Sequence, residues 1–316
     1  MEDKGYMLRD GFLIGGGLII VGLVLELSVG PVDWDAFRWP VNGIVLAGFL
    51  TMIAIIFLLR KRVPVFQFIG TNKAAIPALI YAVSLTVIMG LTRQEGLTPG
   101  PSPMGEGSLW INHMLSFWPF VLIYVYIALI LGLIILRRVL HFTSLRRDIP
   151  FLLNHLGLFL AMTTATLGNA DMQRLKVIAV KGQPEWRAMN DQRQIVEMAV
   201  TIELKEFIME TYDDGSPRRF ASDIEIQTKT GNKLRTTVEV NKPVKVGGWN
   251  IYQYSYDTQM GAMSQISILE LVRDPWLPLV YTGIYMMLAG AVCTFLFGGK
   301  KRIAQSPNSQ SISKFL

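Results

Sequence analysis

The sequence predicts a polytopic α-helical membrane protein with an extracytoplasmic antiparallel β-domain, either a sandwich or an open barrel. Three observations carry that prediction: six apolar blocks long enough to span a bilayer, basic clusters on alternate loops, and a switch to period-two alternation between residues 170 and 275. Of the 316 residues 51 % are hydrophobic and only 17 % charged, a balance typical of chains whose apolar surface is covered by lipid.

Five blocks, about 11–30, 41–60, 74–92, 114–136 and 149–169, precede the alternating segment at 170–275. A sixth at 276–298 follows it, and 299–316 is left as a cytoplasmic tail. Each block is close to the roughly 20 residues that cross about 30 Å of hydrocarbon. The first follows MEDKGYMLRDG and has no A-x-A-like cleavage site after it, so it reads as a retained helix. Its Gly11 and Gly15 have the spacing of a close helix contact, for which packing within the chain is sufficient. The tail IAQSPNSQSISKFL is polar and expected to be disordered.

Lys4 and Arg9, Arg60-Lys61-Arg62, Arg137-Arg138 with Arg146-Arg147, and Lys300-Lys301-Arg302 fall on alternate loops. Cytoplasmic loops collect such residues, which predicts cytoplasmic termini and an external segment 170–275. The formal charge of +6 is thereby mostly an orientation signal, and no nucleic-acid partner is implied.

Between residues 170 and 275, MAVTIELKEFIMETY, FASDIEIQTK, KLRTTVEVNK, WNIYQYSYD and SQISILELV alternate apolar and polar residues. The breaks DDGSP, TGNK and VGGW suit turns, which predicts five to seven antiparallel strands. In that context Glu203, Glu206 and Glu210 are strand-surface charge, and WNIYQYSYD is a strand packing aromatic rings on a sheet face. The segment contains no His, Cys, G-x-S-x-G or phosphate loop, hence no recognisable catalytic constellation. The single cysteine, Cys293, lies in the last block, so thiol chemistry would fall to another protein.

Three histidines remain. His141, in RRVLHFTSLRRD, reads as a solvated loop residue, and His113, in SLWINHMLSF, as an interfacial hydrogen-bonding residue. His155, in FLLNHLGLFLAMTTATLGNADM, lies about 9 Å inside a span that starts near residue 149. Phe159, Met162, Thr166 and Asn169 share its face, while Gly157, Ala161, Thr164 and Gly168 form a small-residue stripe opposite, suited to close helix packing. Intramembrane ionisable residues are functional hypotheses by default. Two readings stay open: a hydrogen bond across helices, or an axial ligand to a metal. One histidine without a Cys/His/carboxylate cluster cannot hold zinc tetrahedrally, whereas haem brings four iron ligands of its own.

The end of the alternating segment, VEVNKPVKVGGWNIYQYSYD followed by ILELVRDPWLPLVYTGIYMMLAGAVCTFLF, resembles the ResB/CcsB family of cytochrome c biogenesis proteins. The matching features are Asn241-Pro243, Gly247-Gly248, Tyr252-Gln253 with Ser255-Tyr256, and Arg273-Asp274-Pro275, together with HLGL at 155–158. Pro243 suits the end of an edge strand, the glycine pair a tight turn, and Pro275 the start of the last helix.

The resemblance implies a non-autonomous subunit of the system II cytochrome c synthase, a haem lyase complex of the bacterial inner membrane. Such a subunit helps move haem outward and attach it to apocytochrome c. It also implies a CcsA/ResC-like membrane partner, thiol-reducing proteins nearby, and a b-type haem held transiently and shared with that partner. By the same analogy His155 is the candidate axial ligand of the haem iron; the resemblance assigns no catalytic residue. The competing reading is a non-catalytic membrane assembly scaffold with a partner-docking β-domain.

Overall fold

The computed structural model describes residues 6–94, 110–214 and 216–298; Lys4, most of the loop before Trp110 and the predicted tail 299–316 lie outside them. The chain divides into two units, one formed by residues 1–170 and 276–316, the other by 171–275.

The first unit is helical: Leu8–Val29 (α1), Val41–Leu59 (α2), Pro64–Ile69 (α3), Asn72–Leu91 (α4), Trp118–Leu140 (α5), Leu145–Gly168 (α6) and Leu277–Gly298 (α7). All except the six-residue α3 are long and apolar enough to cross a membrane. Leu13, Leu58, Leu91 and Phe295 are strongly exposed, as residues meeting lipid would be. α5 is central: its Ile130, Leu131, Leu133 and Ile135 are buried against Ile53 and Ile56 of α2 and Phe159 of α6.

Two helices start four residues from where the sequence predicts. The predicted span 114–136 becomes Trp118–Leu140, because 110–116 coil into 3-10 turns and Pro119 belongs to the first turn of α5, where a missing N–H costs nothing. The predicted span from 149 begins four residues earlier at Leu145, since a buried carboxylate, Asp148, secures that charged first turn.

Glycines set the tightest helix contacts. A Cβ on Gly157 would lie 2.6 Å from the Gly283 carbonyl oxygen, and one on Gly283 would lie 2.7 Å from the Ala161 nitrogen. The small-residue stripe of α6 therefore seats α7 by backbone approach. Gly11 and Gly15 likewise meet Lys73 and Tyr81 of α4 within the chain. At one end of the bundle the α1–α2 loop is tied to the start of α5 by Val32 N–H to Ser116 O (2.8 Å) and Trp118 Nε1–H to Gly30 O (2.9 Å).

The second unit is one antiparallel sheet of eight strands: Gln173–Val180 (β1), Pro184–Asn190 (β2), Ile195–Thr211 (β3), Pro217–Thr228 (β4), Lys233–Glu239 (β5), Val244–Val246 (β6), Trp249–Tyr256 (β7) and Ile266–Arg273 (β8). The expected number was five to seven. The five alternating segments form β3, β4, β5, β7 and β8; the other three strands are β1, β2, whose PEWRAMN hardly alternates, and β6, only three residues long. The order is β5-β4-β3-β2-β1-β8-β7-β6, and the sheet curls enough for β4 to meet β7. Ser222 of β4 donates to Gln253 Oε1 of β7 (2.6 Å), and Ser267 of β8 lies 2.7 Å from Ser222 Oγ. Gln253 Nε2 donates to Ser255 O (2.9 Å), so this buried polar group is internally satisfied. The architecture is an open, curled sheet around Val177, Ile202, Leu204, Ile224, Ile251 and Leu269.

Local chemistry explains the motif residues. Gly247 and Gly248 have φ of 57° and 85° between the paired Val246 and Trp249, the two-residue hairpin turn that requires positive φ at both positions. Tyr256 stacks on Phe207 and Phe220, each at 4.9 Å. Glu203 pairs with Lys205 and Glu210 with Arg219 (both 2.7 Å), which is the surface charge expected of them. Pro275 does not start the last helix: α7 begins at Leu277, and Pro278 occupies its first turn.

Candidate functional site

The site is built from the first three turns of α6. Asp148 has no exposed side-chain surface and accepts from the backbone N–H groups of Thr143 (2.7 Å) and Ser144 (2.8 Å). It is also ion-paired with Arg138 Nε of α5 at 3.0 Å and with Arg147 Nε at 3.2 Å. One carboxylate thus satisfies the two amides that lead into α6 and fixes the end of α5 against it. A buried charge persists only with this degree of pairing.

Arg138, held there, places its guanidinium carbon 4.6 Å from the centroid of the Phe151 ring. Phe151 in turn stacks on the His155 imidazole, centroids 3.8 Å apart and planes inclined by 17°. His155 Nδ1 lies 2.8 Å from the Phe151 carbonyl oxygen. A carbonyl can only accept, so Nδ1 carries the proton and Nε2 keeps its lone pair in the neutral ring. Among the described residues no hydrogen bond to Nε2 is formed. Metal-ligating histidines are commonly oriented in this way, by donating their other ring N–H to a backbone carbonyl.

Below His155 the same face of α6 meets α2 and α5. Phe159 stacks parallel to Phe49 at 6.3 Å, and Tyr124 donates to Met162 O (2.9 Å) while accepting from Thr166 (2.9 Å). The other face takes α7, as the glycine contacts show. Counted from Leu145, the His155 ring is about 15 Å along the helix, against about 9 Å from the start expected at 149.

The other histidines stand apart from it. His141 caps the C-terminus of α5 with Nδ1 2.9 Å from Arg137 O, exposed at the basic end of the bundle. His113 lies in the kink of segment 110–116, exposed, with φ −123° and ψ 47°. No group of three or more His, Cys, Asp or Glu able to hold a metal ion occurs among the described residues. His155 can supply one ligand to an iron whose remaining positions are filled by a macrocycle and a second donor, but not a zinc site.

Sequence reasoning missed two features. The Asp148–Arg138–Phe151 chain that supports His155 was signalled only by an aspartate beside two arginines, Arg146 and Arg147. Glu26, the sole carboxylate of the first block, is buried in α1 and accepts the Trp118 N–H at 3.1 Å, where a negative charge favours the N-terminus of α5.

Helices of spanning length joined to a curled antiparallel sheet define a multi-pass membrane protein with a β-domain set between two of its spans. Residues 145–268, from the Asp148 turn to the last strand, match the model of the ResB-like family. A curated relative, "Cytochrome c biogenesis protein CcsB" of Prochlorococcus marinus subsp. pastoris, is 26 % identical over 136 residues, which is 42 % of this chain and 31 % of the relative. The match thus spans about a third of that relative's length. A solved structure, "Cytochrome c Heme Lyase CcmF", superposes with a TM-score of 0.35 at 15 % identity, over 89 % of this chain and 49 % of that one. At that score the likeness carries no argument.

Proposed function

We propose that this chain is a ResB/CcsB-like subunit of a system II cytochrome c synthase. In this reading it helps move haem across the membrane and attach it to apocytochrome c, together with a CcsA/ResC-like partner. The observation that carries it is the fixed tautomer of His155, whose Nδ1–H is committed to Phe151 O and whose Nε2 lone pair remains available. Bound haem would supply the iron and the vinyl groups that accept the cysteine thiols. The chain itself orients His155 through Phe151, Arg138 and Asp148, and closes the opposite face of α6 with α7.

The basic ends of α2 and α5 lie on the cytoplasmic side of the bacterial inner membrane in this proposal, and the β-domain lies outside, where apocytochrome c and thiol-reducing proteins would meet it. The thiol chemistry belongs to those proteins, since Cys293 is in α7.

The test is co-expression with a CcsA-like partner and absorption spectroscopy of the purified complex. His155→Ala is expected to leave the subunit inserted, to lower co-purifying haem and to abolish holocytochrome formation, with partial rescue by added imidazole. Full haem loading with an unchanged spectrum would remove the ligand role. The alternative, a non-catalytic assembly scaffold, would give a complex without haem in the wild type as well.

A further inference from the structure

We propose that the basic end of the helical unit holds a binding pocket for the phosphate group of an anionic phospholipid. A cavity of about 340 Å³ opens between the ends of α2 and α5 beside α3, with no carboxylate in its lining. Phe57 and Leu133 form a buried apolar floor, and Arg60, Lys61, Arg137 and His141 contribute the polar wall.

The cations at this end of the bundle fall into two groups. Arg138 and Arg147 are neutralised by Asp148. Arg60, Lys61 and Arg137 make no ion pair among the described residues, yet converge on one cavity from two helices. Arg60 is held in place, with Nη1–H donating to Phe57 O at 2.6 Å and its guanidinium carbon 3.5 Å from the Phe57 ring centroid. Restraining a cation at the mouth of an apolar cavity prepares it for an anion instead of for water. His141 commits Nδ1 to Arg137 O and leaves Nε2 for a ligand.

A phospholipid fits better than a soluble anion because the flanking helix ends expose Leu58 and Leu140, apolar surface on which acyl chains can lie while the phosphate meets the cations. Basic pockets between spanning helices bind anionic headgroups by this combination of charge and shape.

Native mass spectrometry of the full chain in detergent, titrated with dioleoyl phosphatidylglycerol or dioleoyl phosphatidylcholine, tests the proposal. One phosphatidylglycerol is expected to bind in preference to phosphatidylcholine. Arg60→Gln, Lys61→Gln and Arg137→Gln should each weaken it about fivefold, and together on the order of 100-fold. Arg62→Gln, an exposed neighbour outside the lining, should change nothing. Gln67→Trp keeps every charge and fills the mouth, and should block binding by itself. Equal binding of the two lipids, equal loss in Arg62→Gln, unimpaired binding in Gln67→Trp, or complete displacement by excess inorganic phosphate would each overturn the proposal.

Discussion

An imidazole inside a spanning helix is stable only if its polar atoms have work, and His155 shows how one atom is spent to keep the other ready. The Nδ1 proton is fixed by a carbonyl one turn back, and Phe151 between the imidazole and Arg138 fixes the ring plane. That arrangement depends on Asp148, which is fully buried between two arginines and two backbone amides. Asp148→Asn would leave Arg138 without its counter-charge and the Thr143 and Ser144 amides with a weaker, uncharged acceptor. Hydrogen exchange of the detergent-solubilised chain should then show the amides of 143–148 opening at least tenfold faster, with haem co-purification falling although His155 is intact. Unchanged exchange across that turn would mean that Asp148 does not hold the site. The histidine itself was legible from the sequence because a lone ionisable residue stands out in an apolar run. Its support was not, because Arg138 lies on a different helix, and only tertiary packing brings it over Phe151.

For helices and strands, legibility followed the strength of the local pattern. The alternation in MAVTIELKEFIMETY and WNIYQYSYD gave β3 and β7 and the residues VGGW gave the turn before β7, whereas PEWRAMN, with one buried position, and the three-residue β6 left β2 and β6 unread. Helix starts were misjudged where a residue distant in sequence or a preceding coil decides them, as with Asp148 at α6 and the 3-10 turns ahead of α5. The stripe Gly157, Ala161, Thr164 and Gly168 was read as a packing face, and α7 occupies it through Gly283. Such backbone approach tolerates no side chain: Gly157→Leu should separate α6 from α7 and destabilise the helical unit by about 1–3 kcal/mol, as overpacking does. A thermal melt in detergent would register this as a lowered midpoint, with Gly17→Leu, where an added Cβ meets nothing within 4 Å, as the neutral control. Equal midpoints for the two variants would remove the close-packing argument.

At the scale of the whole molecule the two units are stabilised by different physics and should respond differently to acid. The helical unit has apolar packing with few internal charges, whereas the β-domain lays ion pairs along β3, β4 and β5. The ammonium of Lys233 holds the Glu225 carboxyl below its ordinary range, with Lys205 adding to the effect, and Arg219, then Lys242, does the same for Glu239. Each carboxylate therefore titrates at lower pH in the folded domain than in the unfolded chain, where a glutamate has a pKa of about 4.3. A group with a depressed folded pKa contributes stability that is fully present above the unfolded value and is lost as pH falls through the folded one. Protection of the β3–β5 amides should accordingly stay constant from neutral pH down to about 5 and weaken progressively below about 4. These pairs are partly exposed, so salt should shrink the effect. Hydrogen exchange of the full chain across that pH range, corrected for the intrinsic exchange rate, separates the units. Loss of protection in 203–239 before α5 and α6 supports the division, and Glu239→Gln should reduce the pH dependence. Simultaneous loss in both units would show that acid acts on the molecule as one cooperative body, with the surface pairs of the sheet contributing nothing separable.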